Sequence, residues 1–246
     1  MEADSYVLVP HEADHPMLSH LKPYFPHIDE PSAPDFAFDD EVVRALQAAR
    51  QARPDGRLMV DELLDLLGLP YSLFPPQSPE QLVHFLSQLV TVEQSSLRID
   101  CIVLYLLLFV EEDKARHFQH ERSIPQGYVS AVNGFHALDT AQWELAVANL
   151  TDPRLTSDFP HKILSVLATL PSIDDRAKLV LDFWRFADVP LETTQQASIV
   201  LAALCDRTRP VGVVEAWQLA RSWHDKQERE ELYHDILALC LGRMSI

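Results

Sequence analysis

From Asp40 to the C-terminus, apolar residues recur three and four positions apart in short runs. The runs open at Ser, Thr, Asp or Pro and close at Gly, Asn or Pro. That spacing puts the apolar residues on one face of a helix, and the flanking residues are those that begin and end helices. Asp40 is expected to cap a helix through Val43, Leu46 and Ala49, with a turn at Pro54-Asp55-Gly56. Val60, Leu63, Leu64 and Leu67 share a stripe that Gly68 and Pro70 stop. Ser78-Pro79-Glu80 opens a helix carrying Leu82, Phe85, Leu86 and Leu89. Leu97 to Ala115 reads as one long buried helix, and Pro125 opens another that closes at Asn133-Gly134. Thr140, Pro160, Ser172, Thr193 and Pro210 each start a further helix, and the last runs from about Glu228 to Leu241.

Short helices that each bury one stripe on their neighbours make an all-α fold, an irregular α-solenoid of stacked antiparallel helix pairs. No strict period is present, so tetratricopeptide and ankyrin repeats are unsupported. Six glycines against seventeen prolines weigh against a β-sandwich or barrel of 246 residues, which needs more glycine-bearing turns.

Residues 1–39 differ from the rest. They hold eight acids, one lysine (Lys22) and six prolines, with apolar islands at Tyr6 to Val9 and at Leu21, Tyr24 and Phe25. Such a composition builds no core alone. Two readings stay open: a disordered tail, or an arm laid over the domain or a partner. The expected organisation is an acidic Pro-rich arm, 1–39, and a helical domain, 40–246.

The net charge of −17 repels phosphate, and direct nucleic-acid binding is not expected. The short basic stretches Arg50 to Arg57 and Arg207-Thr208-Arg209-Pro210 read as turns. Cys101, Cys205 and Cys240 are far apart, odd in number and without a CxxC, which points to a reducing compartment and away from disulfide or zinc frameworks. Met1-Glu2-Ala3-Asp4 opens no signal peptide. The most apolar run, Cys101 to Val110, is too short for a membrane span, which needs about 20 residues.

His11-Glu12-Ala13-Asp14-His15 matches the letters of the zinc protease signature H-E-x-x-H. That chemistry needs both histidines on one helical face, with the glutamate as base and a third ligand downstream. Pro10 and Pro16 flank the motif, and Pro16 pushes His15 away from helical geometry. His20 is a third ligand only at an untypical spacing. A zinc hydrolase is therefore the weakest reading. His117 and His120 read as a solvated helix end, and Asp174-Asp175 as a first helical turn. No nucleophile elbow, P-loop or dinucleotide fingerprint occurs. No catalytic residue, metal or cofactor is expected.

Tyr128 to Leu241 carries a series of phrases: Gly134-Phe135-His136-Ala137-Leu138-Asp139, Phe159-Pro160-His161-Lys162-Ile163-Leu164, Ala177 to Phe186, and Glu215-Ala216-Trp217-Gln218-Leu219-Ala220-Arg221. In this order they resemble the helical domain of the ELYS-type nuclear pore assembly proteins. The resemblance implies a structural nucleoporin, a short form similar to fungal members. The form expected from it is the helical domain alone, without the β-propeller and the DNA-contacting tail of larger animal members. The resemblance implies docking on the short arm of the Y-shaped scaffold complex. The neighbours there would be a large propeller-solenoid nucleoporin and a small β-propeller subunit. The expected place is the nuclear envelope, in support of pore assembly and of mRNA and protein transport. A helical subunit of another coat- or lid-type assembly is the alternative. The expected partner contacts are Tyr6, Tyr24, Phe25, Trp223 and Tyr233. The first three are apolar islands in a segment that cannot fold alone. Trp223 and Tyr233 lie at the C-terminal edge, Trp223 beside Arg221 and His224.

Overall fold

The computed structural model describes residues 16–30, 36–93, 95–155, 158–170, 173–206 and 212–242. Among them lie thirteen α-helices and no strand: α1 (Pro16–Leu21), α2 (Asp40–Ala52), α3 (Met59–Leu66), α4 (Pro79–Thr91), α5 (Ser96–Val110), α6 (Glu112–Glu121), α7 (Gln126–Asp139), α8 (Trp143–Leu150), α9 (Pro160–Ala168), α10 (Ile173–Phe186), α11 (Thr194–Leu204), α12 (Gly212–Ser222) and α13 (Lys226–Leu241). Single 3-10 turns occupy Pro26–Ile28 and Tyr71–Leu73. Among the described residues no helix is long and apolar enough to cross a membrane.

The helix starts follow local chemistry. Asp39 accepts hydrogen bonds from the Glu41 and Val42 amides at 2.9 Å, so the cap of α2 is one residue earlier than expected. Ser78 accepts from Gln81 N ahead of Pro79. Thr193 and Gln196 cap each other reciprocally at the start of α11. Asp225 accepts from Glu228 N at the start of α13, which begins at Lys226. Gly56 and Gly68 close their turns with φ of +67° and +69°, where glycine carries no Cβ penalty.

Two helix ends differ from expectation. The helix expected over Leu97 to Ala115 is broken at Glu111, which is extended (φ −167°, ψ 128°). α5 is buried without a gap from Ile99 to Leu107, whereas α6 buries only Ala115 and Phe118. The break lets the polar segment leave the core and lay down a single face. α7 runs through Asn133-Gly134 and ends at Asp139. Burial of Val132, Gly134, Phe135 and Leu138 outweighs the weak local preference for a stop. Thr140 therefore belongs to the end of α7, where its hydroxyl donates to the His136 carbonyl, and Ala141 turns the chain with φ +60°.

The chain forms two compact units, Met1–Gln142 and Trp143–Ile246. The expected boundary after residue 39 lies within the first. In that unit α5 is the central element, packed on α3, α6 and α7, and α1 and the Pro26–Ile28 turn lie on α4. In the second, α10 packs on α8, α9 and α11, and α13 packs on α11 and α12. Within each unit, then, neighbouring helices stack in the manner of a solenoid. Gly212 marks the tightest approach: a Cβ there would lie 2.0 Å from the Leu204 carbonyl oxygen at the end of α11.

Candidate functional site

The five residues expected to meet a partner are placed very differently. Tyr6 lies outside the described residues, as do His11, Glu12 and His15. Tyr24 and Phe25 are buried within the first unit, at 4% and 1% exposure. Tyr24 stands edge-on to Phe118 with ring centroids 5.2 Å apart, and its hydroxyl donates to Glu121. Burial and that carboxylate push its phenol up to about 12. Leu18 and Leu21 are buried beside them. The apolar island around residues 18–25 is thus a lid over the unit's own core. The apolar surface of Tyr24 and Phe25 is covered within the unit, which matches the arm laid over the domain, one of the two readings left open.

Trp223 is covered within the second unit. It is 6% exposed, stacked on His224, with its indole N–H donating to Glu228 at 2.7 Å. It pins the turn between α12 and α13. Tyr233 is part-exposed and lies against Trp217, ring centroids 4.8 Å apart.

Trp217 and Tyr233 begin a surface of which the sequence reading held Tyr233 alone. α13 carries two apolar stripes. Leu232 and Ile236 are fully buried against the unit, while Tyr233, Leu237 and Leu241 follow one residue on, at i, i+4 and i+8. Leu237 and Leu241 are 45% and 56% exposed. On α12, Val214 and Trp217 are exposed one turn apart. The two helices pack together, so these five side chains build one apolar ridge with an aromatic centre. Aromatic anchors within aliphatic surroundings are the composition of interface hot spots. The signal was present in the sequence as an α13 apolar on two faces, which a single stripe does not need.

The first unit holds a different kind of feature, a buried ionic cluster. Asp139, at the last turn of α7, accepts from the Met59 amide at 2.9 and 3.0 Å, the Val60 amide at 3.1 Å and the Tyr105 hydroxyl at 3.0 Å. It thereby caps the first turn of α3 from eighty residues away. Arg53 lies 3.5 Å from the same carboxylate and donates to the Leu138 carbonyl at 2.6 Å. Next to it, Arg50 grips Asp61 with two bonds, at 2.6 and 2.9 Å, and also donates to the Phe74 carbonyl. Burial pushes Asp139 up to about 6 although its donors pull the other way, and raises the Tyr105 phenol well above its ordinary range. His136, one turn before, packs edge-on against Phe109 at 4.4 Å, and burial lowers it to about 4.

Shifted carboxyls and phenols also mark catalytic sites. Here Asp139 has no exposed side-chain surface, and backbone amides and protein side chains occupy its lone pairs. The cluster is a fastening between helices. Among the described residues no group of three or more His, Cys, Asp or Glu is placed to hold a metal ion. Cys101 and Cys205 are buried and Cys240 half-buried, each outside any disulfide.

The described residues, all helices and loops around a fastened interior, have the build of a helical scaffold. The family model ELYS, described as nuclear pore complex assembly, matches residues 57–245, and the chain belongs to that family. That membership points to the nucleus and the nuclear pore complex. The chain is also 28% identical over 162 residues to the uncharacterized protein ely5 of Schizosaccharomyces pombe, covering 65% of this chain and 52% of that protein. It spans about half the length of this curated relative. The ridge falls within the matched region, as do Asp61, Tyr105 and Asp139 of the ionic cluster, whereas Arg50 and Arg53 precede it.

Proposed function

We propose that this chain is a structural nucleoporin, without catalytic activity, that docks by protein–protein contacts onto the Y-shaped scaffold complex of the pore. Its place there would be the short arm, beside the large propeller-solenoid subunit and a small β-propeller subunit. The reading rests on membership of a pore-assembly family. The single structural observation that carries it is the ridge of Val214, Trp217, Tyr233, Leu237 and Leu241, an apolar face left open by the described residues of the second unit. Docking would bury the Trp217–Tyr233 pair at the centre and leave the acidic flanks wet, the usual division between interface core and rim.

Affinity capture with the full chain from nuclear extract, read by mass spectrometry, tests the proposal. Recovery of Y-complex nucleoporins is expected. A Trp217→Ala, Leu237→Asp variant should lose affinity for them by on the order of a hundredfold, with unchanged helicity. Recovery of a different assembly, or equal capture by the variant, overturns the reading. Removing residues 1–15, which carry Tyr6, should weaken capture modestly if that segment touches the partner; unchanged affinity on calorimetry would remove Tyr6 from the interface.

A further inference from the structure

The second unit also contains a groove distinct from the ridge. Its cavity of about 470 Å³ is walled by Ala168, Ala177, Val180, Ile199, Ala202 and Leu239, from α9, α10, α11 and α13. Among the described residues one cation stands in this apolar lining: Arg176, in α10. Its Nε is buried and has no hydrogen-bond acceptor among the described residues. Asp206 shares the wall without supplying one. Ser198, also on the wall, donates its hydroxyl to Asp235 at 2.6 Å. A buried donor without an acceptor is costly, and a carboxylate is the group that best satisfies a guanidinium. The Arg176 Nε is thus an unanswered donor within an otherwise largely apolar groove.

The shape of the opening narrows the occupant. Gln195, Ile199 and Ala202 follow at i, i+4 and i+7 along α11, and Gln195 and Ala202 are exposed. The groove is therefore open along a helix rather than closed around a small molecule. The short side chains of Ala177 and Ala202 allow close approach of another backbone. We infer that this groove receives an amphipathic helix of a partner protein, with large apolar side chains entering between α10 and α11 and one aspartate or glutamate meeting Arg176. Helix-in-groove docking of this kind is read by anchors at i, i+3, i+4 and i+7. The inference rests on the scaffold reading above and adds to it a second contact of stated chemistry.

The test uses the full chain and capture of Y-complex nucleoporins from nuclear extract. Arg176→Ala and Ala202→Trp, which removes the cation and fills the groove respectively, should each lower affinity tenfold or more, on the order of the loss seen when one member of a desolvated charge pair is removed. Arg176→Lys should recover part of it. Thermal melts of each variant identify any that has simply lost its fold. A photo-crosslinking residue placed at Gln195 should attach to a partner helix that bears an acidic residue on its apolar face. If the unaltered chain captures no nucleoporin, the scaffold reading fails. If the unaltered chain captures them and the groove variants do so equally well, the groove inference alone fails. It is also overturned by crosslinks confined to segments without Asp or Glu. Native mass spectrometry gives the last outcome: a fatty carboxylic acid retained by the purified chain and lost from Arg176→Ala would assign the groove to a lipid instead.

Discussion

Asp139 and His136, one turn apart on α7, respond to acid in opposite senses. The folded chain holds Asp139's proton up to about pH 6, whereas an unfolded aspartate releases it near 3.9. Between those values folding takes up a proton, so Asp139's contribution falls as pH rises from about 4 to 6. His136 is held neutral down to about 4, against about 6.5 when unfolded. Its contribution is complete above 6.5 and is lost as pH falls towards 4. Each shift is worth roughly 3 kcal/mol, so the two slopes nearly cancel. Urea unfolding from pH 4 to 7 should therefore separate them by subtraction. Relative to the unaltered chain, Asp139→Asn should lose stability more steeply on acidification, and His136→Gln should gain it. Parallel profiles in all three would contradict the assignment. At pH 7, Asp139→Ala should cost about 3–5 kcal/mol, because Arg53 and two helix amides lose their acceptor. This cluster was not legible in advance. Arg53 read as part of a turn and Asp139 as part of a phrase, because their meeting depends on a fold that brings positions eighty-odd apart together.

At the scale of elements, most starts were legible and several ends were not. A cap such as Ser78 or Thr193 is decided by bonds within one turn, so neighbouring residues suffice to read it. An end such as that of α7 is decided by what the helix packs on, and local signals at Asn133-Gly134 were overridden. The α11–α12 junction shows the same dependence at its sharpest. Gly212 reads as an unremarkable helix residue, yet its hydrogen takes the place where any side chain would strike the Leu204 carbonyl. Gly212→Ala should therefore destabilise by about 1–3 kcal/mol despite alanine's better helix propensity. A chemical melt of the variant checks the sign; a stabilised protein would show that α12 can shift without loss.

For the whole molecule, the order of helices carried the family and the burial of the candidate contacts did not follow from it. Tyr24, Phe25 and Trp223 are large and apolar, and no local pattern tells whether such a residue covers its own core or a partner's. The ridge lies on α12 and α13, whose other faces pack on α11. All four tryptophans, Trp143, Trp184, Trp217 and Trp223, fall in the second unit, and the first has none. Tryptophan emission therefore follows the second unit alone, while far-ultraviolet ellipticity follows both. In Asp139→Ala the ellipticity should begin to fall at lower urea than the emission changes. Coincident transitions would mean that the two units unfold together.

The cap that Asp139 places on α3 has a temporal side. A chain made from its N-terminus completes α3 well before residue 139 exists, and until then the Met59 and Val60 amides have only water for a partner. The first unit can close only when the end of α7 has been synthesised and has swung back over eighty residues. Contacts of such span form slowly. A growing chain halted before α7 should leave α3 open to protease, and one released just beyond it should not.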